Sequence, residues 1–102
     1  DVRSTRMALG RAALIGDAAC ASRPHAAAGT AKAAADAWAL ADALSTSAGD
    51  IASALSKWEP AQLQLSDALL RRVVDMGERS QFHNTWMPGD PDLRFGLYGP
   101  GH

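Results

Sequence analysis

One convincing strand in a chain otherwise suited to helices is the feature that most narrows the fold. Ala12 to Ile15 form a short apolar run, closed by Gly16, that reads as a buried strand. A lone strand leaves its backbone donors and acceptors unpaired and cannot stay buried. Either this run pairs with a sheet supplied elsewhere or it is not a strand here. The expectation is therefore the C-terminal piece of a larger α/β protein. Within these 102 residues the fold class is mainly α. The predicted order is one short strand, a loop, an alanine-rich helix, a long helical hairpin partner and an irregular C-terminal tail.

Residues 1–11 are polar and basic and read as a loop or edge strand. After Gly16, Pro24 pushes Arg23 out of helical backbone angles. Gly29 to Leu44 read as a helix because alanine is the best helix former. Ser45 to Gly49 break it, and Asp50 is a good N-cap for the next helix. Ile51, Leu55, Trp58, Leu65, Leu69, Val73 and Met76 then recur at three- and four-residue steps, one apolar stripe on a helix. Pro60 is expected to split this segment into a short helix to Trp58 and a longer one from Pro60 to Gln81. From Asn84 onward, Pro88, Pro91, Pro100 and four glycines oppose regular structure. Trp86, Phe95, Leu97 and Tyr98 give this tail apolar anchors. The chain thus divides into 1–48, 49–83 and 84–102.

Bulk properties exclude several classes. A net charge of −1 gives no electrostatic reason to expect nucleic acid or an anionic membrane as partner. Lys32, Asp36 and Asp42 interrupt the best candidate for a membrane span. Cys20 is the only cysteine, so no internal disulfide can form and a cytoplasmic location is the default. Cys20, His25, His83 and His102 lack zinc-like spacing, so no metal site is expected. Ser45, Thr46 and Ser47 show no nucleophile context.

The run Gly10-Arg-Ala-Ala-Leu-Ile-Gly-Asp17 carries the chemistry. Gly16 lets the chain turn sharply after the strand. Asp17 then emerges where open α/β sheets bind ligands, and its carboxylate can accept a hydrogen bond from a sugar hydroxyl. The helix after Pro24 begins with free N–H groups and about half a positive charge, which suits negative charge on a ligand. Ala26 to Ala28 and Gly29 keep side chains clear, so a flat ring can approach the backbone.

Ile15-Gly16-Asp17-Ala18-Ala19, then Pro24, Gly29 and Asp36-Ala37 with Leu40-Ala41, resemble the second FAD-binding motif of class A flavin monooxygenases, the single-component aromatic hydroxylases. Arg23-Pro24-His25, Thr30-Ala31-Lys32-Ala33-Ala34 and the tail from Pro88 to Gly101 are similar to the 2,6-dihydroxypyridine 3-monooxygenase-like branch. The resemblance implies that residues 1–48 are the C-terminal part of an FAD-binding domain. It implies that Gly16, Asp17, Pro24, Ala27, Gly29 and Thr30 bind FAD, with Asp17 on the ribityl or ribose hydroxyls. The family's motif runs Pro-x-x-Gly-x-Gly, and Ala27 stands where its first glycine is common.

The family uses NADH or NADPH to reduce FAD, and oxygen to hydroxylate a small aromatic ring. No catalytic acid or base is expected in this chain. A missing N-terminal dinucleotide-binding region would complete the site, and a homodimer is left open. His25 either lies near flavin or substrate or caps the loop with a backbone hydrogen bond. Arg23 either meets a pyrophosphate or flavin edge or, the favoured reading, makes a surface salt bridge. The alternative to an enzyme is a non-enzymatic, alanine-rich helical interaction module.

Overall fold

The computed structural model describes residues 1–85, 87, 89, 95–96 and 99–100. Two helices dominate. Helix α1 spans Gly29–Thr46 and helix α2 spans Ile51–Gly77. A four-residue connection reverses the chain between them, so they pack as an antiparallel hairpin. Asp50 caps α2 as expected, its Oδ1 accepting from the Ser53 amide at 3.1 Å.

Four two-residue strands precede the helices. Strand β1 (Val2–Arg3) pairs antiparallel with β4 (Cys20–Ala21), and β2 (Ala8–Leu9) pairs antiparallel with β3 (Ala12–Ala13). The second pair corrects the expectation of a buried strand from Ala12 to Ile15. Ala12 and Ala13 are exposed, and the strand ends at Ala13. Its partner is local: Gly10-Arg11 make a two-residue turn, with Gly10 at φ 58°. The Leu14 amide adds a bond to the Met7 carbonyl at 2.8 Å. Part of this run's backbone is thus bonded within the hairpin, and its exposure leaves the rest to water.

A second correction concerns Pro60. It lies inside α2, which runs unbroken from Ile51 to Gly77. Proline there removes one donor and crowds the carbonyl four residues back, at Ser56. Both residues are exposed, so water can reach the freed carbonyl. The apolar stripe on either side keeps the two halves on one axis: Leu55, Trp58, Leu69 and Val73 are all buried. Beyond Gly77 the chain continues as one π-helical turn, Glu78–Phe82.

The core has two parts. Met7, Ala8 and Ala19 pack with Leu55 and Trp58, flanked by Leu40, Ala43 and Ile51. Residues of the 1–48 segment and of α2 therefore share one apolar cluster. Farther along α2, Leu69 and Val73 pack with Ala28 and Ala26. A carboxylate fixes the hairpin to α2: Glu59 Oε2 accepts from the amides of Met7 at 2.8 Å and Ala8 at 2.6 Å, and the Arg6 guanidinium lies at 3.2 Å. In the tail, β5 (Phe95–Gly96) pairs antiparallel with β6 (Gly99–Pro100). The expected side-chain anchors Trp86, Phe95, Leu97 and Tyr98 lie outside the described side chains.

Candidate functional site

The loop between the strands and α1 builds a cleft. Gly16–Ala18 form a short 3₁₀ turn and Pro24–Ala26 a second one. Arg23 is extended, at φ −62° and ψ 154°, as a residue before proline should be. Asp17, Ser22, Arg23, Pro24, Ala27, Ala28, Gly29 and Thr30 line a cleft of about 300 Å³ between the two turns and the start of α1. Asp17, on one wall, is exposed. The opposite wall is the opening turn of α1, which has no side-chain cap at Ala28. Its first N–H groups carry no intrahelical bond, and the helix dipole adds partial positive charge. The cleft therefore offers a carboxylate acceptor and backbone donors along one lining.

Ala27 takes a left-handed conformation, at φ 50° and ψ 31°. That backbone region is strained for any residue with a Cβ and easy for glycine. The turn geometry thus explains why a motif of this shape favours glycine there. Gly16 is also left-handed, at φ 61°, and a Cβ added to it would stand 3.2 Å from the Ala33 Cβ.

The remaining expected residues divide. Arg23 lines the cleft, yet its guanidinium is held by Asp1: Nη2 lies 2.8 Å and Nε 3.1 Å from Asp1 Oδ2, and its amide lies 2.7 Å from Asp1 Oδ1. The favoured salt bridge is the one formed. The His25 ring packs on Gly77 of α2, where a Cβ would come within 3.2 Å of Cδ2 and Nε2. It is not among the residues lining the cleft.

Behind the Gly16 turn lies a buried ion pair whose lysine the sequence reading missed. Lys32 and Asp36, four residues apart on α1, are almost fully buried, and Lys32 Nζ lies 2.7 Å from Asp36 Oδ2. The same oxygen accepts from the Gly16 amide at 3.1 Å. The Asp36 carbonyl accepts from Trp58 Nε1 at 3.0 Å. The spacing alone reads as a surface i,i+4 pair. Only the chain folded over it makes the pair interior. Nearby, burial pushes the Cys20 thiol up from its ordinary range, with the Lys32 charge and a hydrogen bond to Ser66 opposing.

Comparison with known proteins gives this arrangement a counterpart. Over about a quarter of that protein's length, the chain matches a class A flavin monooxygenase. This relative is 2,6-dihydroxypyridine 3-monooxygenase of Paenarthrobacter nicotinovorans, 46% identical over 97 residues, which are 95% of this chain and 24% of that protein. The solved structure of 2,6-dihydroxypyridine-3-hydroxylase from Arthrobacter nicotinovorans superposes with a TM-score of 0.85 at 45% identity. It covers 94% of this chain and 24% of the solved one. No protein-family model matches the sequence.

Proposed function

We propose that this chain forms one side of the FAD site of a monooxygenase that hydroxylates an aromatic or heteroaromatic ring with NADH or NADPH and oxygen. The observation that carries the reading is one cleft lined by Asp17, Gly29 and Thr30 together. Its donor set fits the cofactor. A carboxylate suits ribityl or ribose hydroxyls, and an uncapped helix start suits the electron-rich side of a flavin ring. Small residues at Ala27, Ala28 and Gly29 allow a flat ring close to the backbone, with Pro24 shaping the loop. Gly16 sets the turn that presents Asp17.

Bound FAD would supply the redox chemistry of such a reaction. The chain's own contribution is to position the cofactor and stabilise negative charge on it. The relative's name points to a dihydroxypyridine as the kind of substrate. The dinucleotide-binding part of the site would come from polypeptide outside these residues. A cytoplasmic setting completes the reading. No helix among the described residues is long and apolar enough to cross a membrane.

Asp17→Ala in the full-length protein tests the proposal. Loss of hydrogen bonds to a charged acceptor predicts an FAD affinity about 10- to 100-fold weaker, read by flavin fluorescence titration. Unchanged affinity would overturn the reading of this cleft as a flavin site.

A further inference from the structure

We propose that Asp36 and Lys32 are positioning residues: the α1 face carrying Lys32, Ala33 and Asp36 is the seat that sets the Gly16–Asp17 turn, and through it one wall of the cleft. The inference rests on the flavin reading above and adds residues that do not line the cleft themselves.

Two contacts meet at Gly16, and a third anchors one of them. Its amide donates to Asp36 Oδ2 at 3.1 Å. Its Cα side meets the Ala33 methyl so closely that a Cβ on Gly16 would stand 3.2 Å away. The accepting oxygen is itself anchored by Lys32 Nζ at 2.7 Å. Positions 32, 33 and 36 lie on one side of a helix by their spacing. Gly16 immediately precedes Asp17, so a shift of this seat moves the exposed carboxylate relative to Gly29 and Thr30.

Energetics favour a geometric role. A buried ion pair generally contributes less stability than apolar side chains of the same volume. Packing alone would therefore be served as well by leucine and methionine. Neither of those can accept the Gly16 amide, and the carboxylate can. Asp36 also sits where Trp58 of α2 bonds its carbonyl, so the seat is braced from the second helix.

Two double variants in the full-length protein separate the roles. Lys32→Met with Asp36→Asn removes both charges and keeps an acceptor for Gly16. Lys32→Met with Asp36→Leu removes the charges and the acceptor. Both are titrated with FAD well below their own melting temperatures, so that only the folded state is compared. The expected result is near-parental affinity for the Asn form and an affinity at least about tenfold weaker for the Leu form. Equal affinities overturn the proposal, because a purely structural pair would move the melting temperature and leave the folded site alone. Where either double variant fails to fold, Ala33→Val decides, since its added methyls push on Gly16 without touching charge. Weakened FAD binding supports the seat, and parental binding overturns it. Asp17→Ala in the same titration distinguishes the two readings. If Asp17→Ala weakens binding while the seat variants do not, the seat alone falls. If Asp17→Ala has no effect, the flavin reading falls and the seat with it.

Discussion

Ala27 and Glu59 show how much a single side chain decides here. Ala27 holds a left-handed backbone against its own Cβ. Glycine would relieve a strain of roughly 1–2 kcal/mol and return part of it through a freer unfolded chain. Ala27→Gly should therefore stabilise the fold by about 0.5–1 kcal/mol in urea unfolding. Glu59 collects two backbone amides and Arg6. The Ala8 amide is the main cause, followed by the Met7 amide and the guanidinium, of a carboxyl held below its ordinary range. A depressed folded pKa means that the contribution is present above the unfolded value. It is lost as pH falls through the folded one. Melting temperature should drop on acidification below the ordinary glutamate range. Glu59→Gln should be less stable at neutral pH and show a shallower acid limb. Parallel acid limbs for the two proteins would count against the clamp.

Among the elements, α2 is the one whose continuity the chain's own chemistry opposes. Pro60 costs an interior bond, yet the buried stripe from Leu55 to Val73 outweighs it because both halves seat on one core. Pro60→Ala should leave the helix boundaries in place and stabilise the protein by about 1–2 kcal/mol. That is less than the full interior penalty of ~3, because alanine also frees the unfolded chain. Urea unfolding with unchanged slope would show it, and a longer helix by circular dichroism would not be expected. Helix α1 is the opposite case. Its alanines make it helical locally, and its placement rests on Leu40 and Ala43 at the core, on Trp58 bonding the Asp36 carbonyl and on the Gly16 amide bonding the Asp36 carboxylate.

For the molecule as a whole, the uncovered apolar surface matters most. Trp38 is 81% exposed on α1, and Val2 and Leu9 are 73% and 64% exposed. Isolated apolar residues are ordinary, but this chain spans about a quarter of its relatives' length, and cover from further polypeptide is the simple expectation. Expressed alone, the segment should self-associate with concentration in size-exclusion chromatography. Trp38→Lys should shift it toward monomer. In the full-length protein, Trp38 fluorescence should be shielded from an aqueous quencher.

Local chemistry accounts for what was legible in the chain. Alanine propensity marked α1, the cap at Asp50 and the three-and-four spacing marked α2, and the Gly16-Asp17 and Pro24–Thr30 stretches marked the two walls of one cleft. These are near-neighbour effects, and residues a few positions apart carry them. The continuity of α2 through Pro60, the Glu59 clamp and the interior Lys32–Asp36 pair were not legible. Each depends on groups far apart in the chain, or on whether water is excluded from a position. Spacing cannot report either one. Burial changes the worth of a charge or a missing hydrogen bond by more than local propensity does, so tertiary packing decided them.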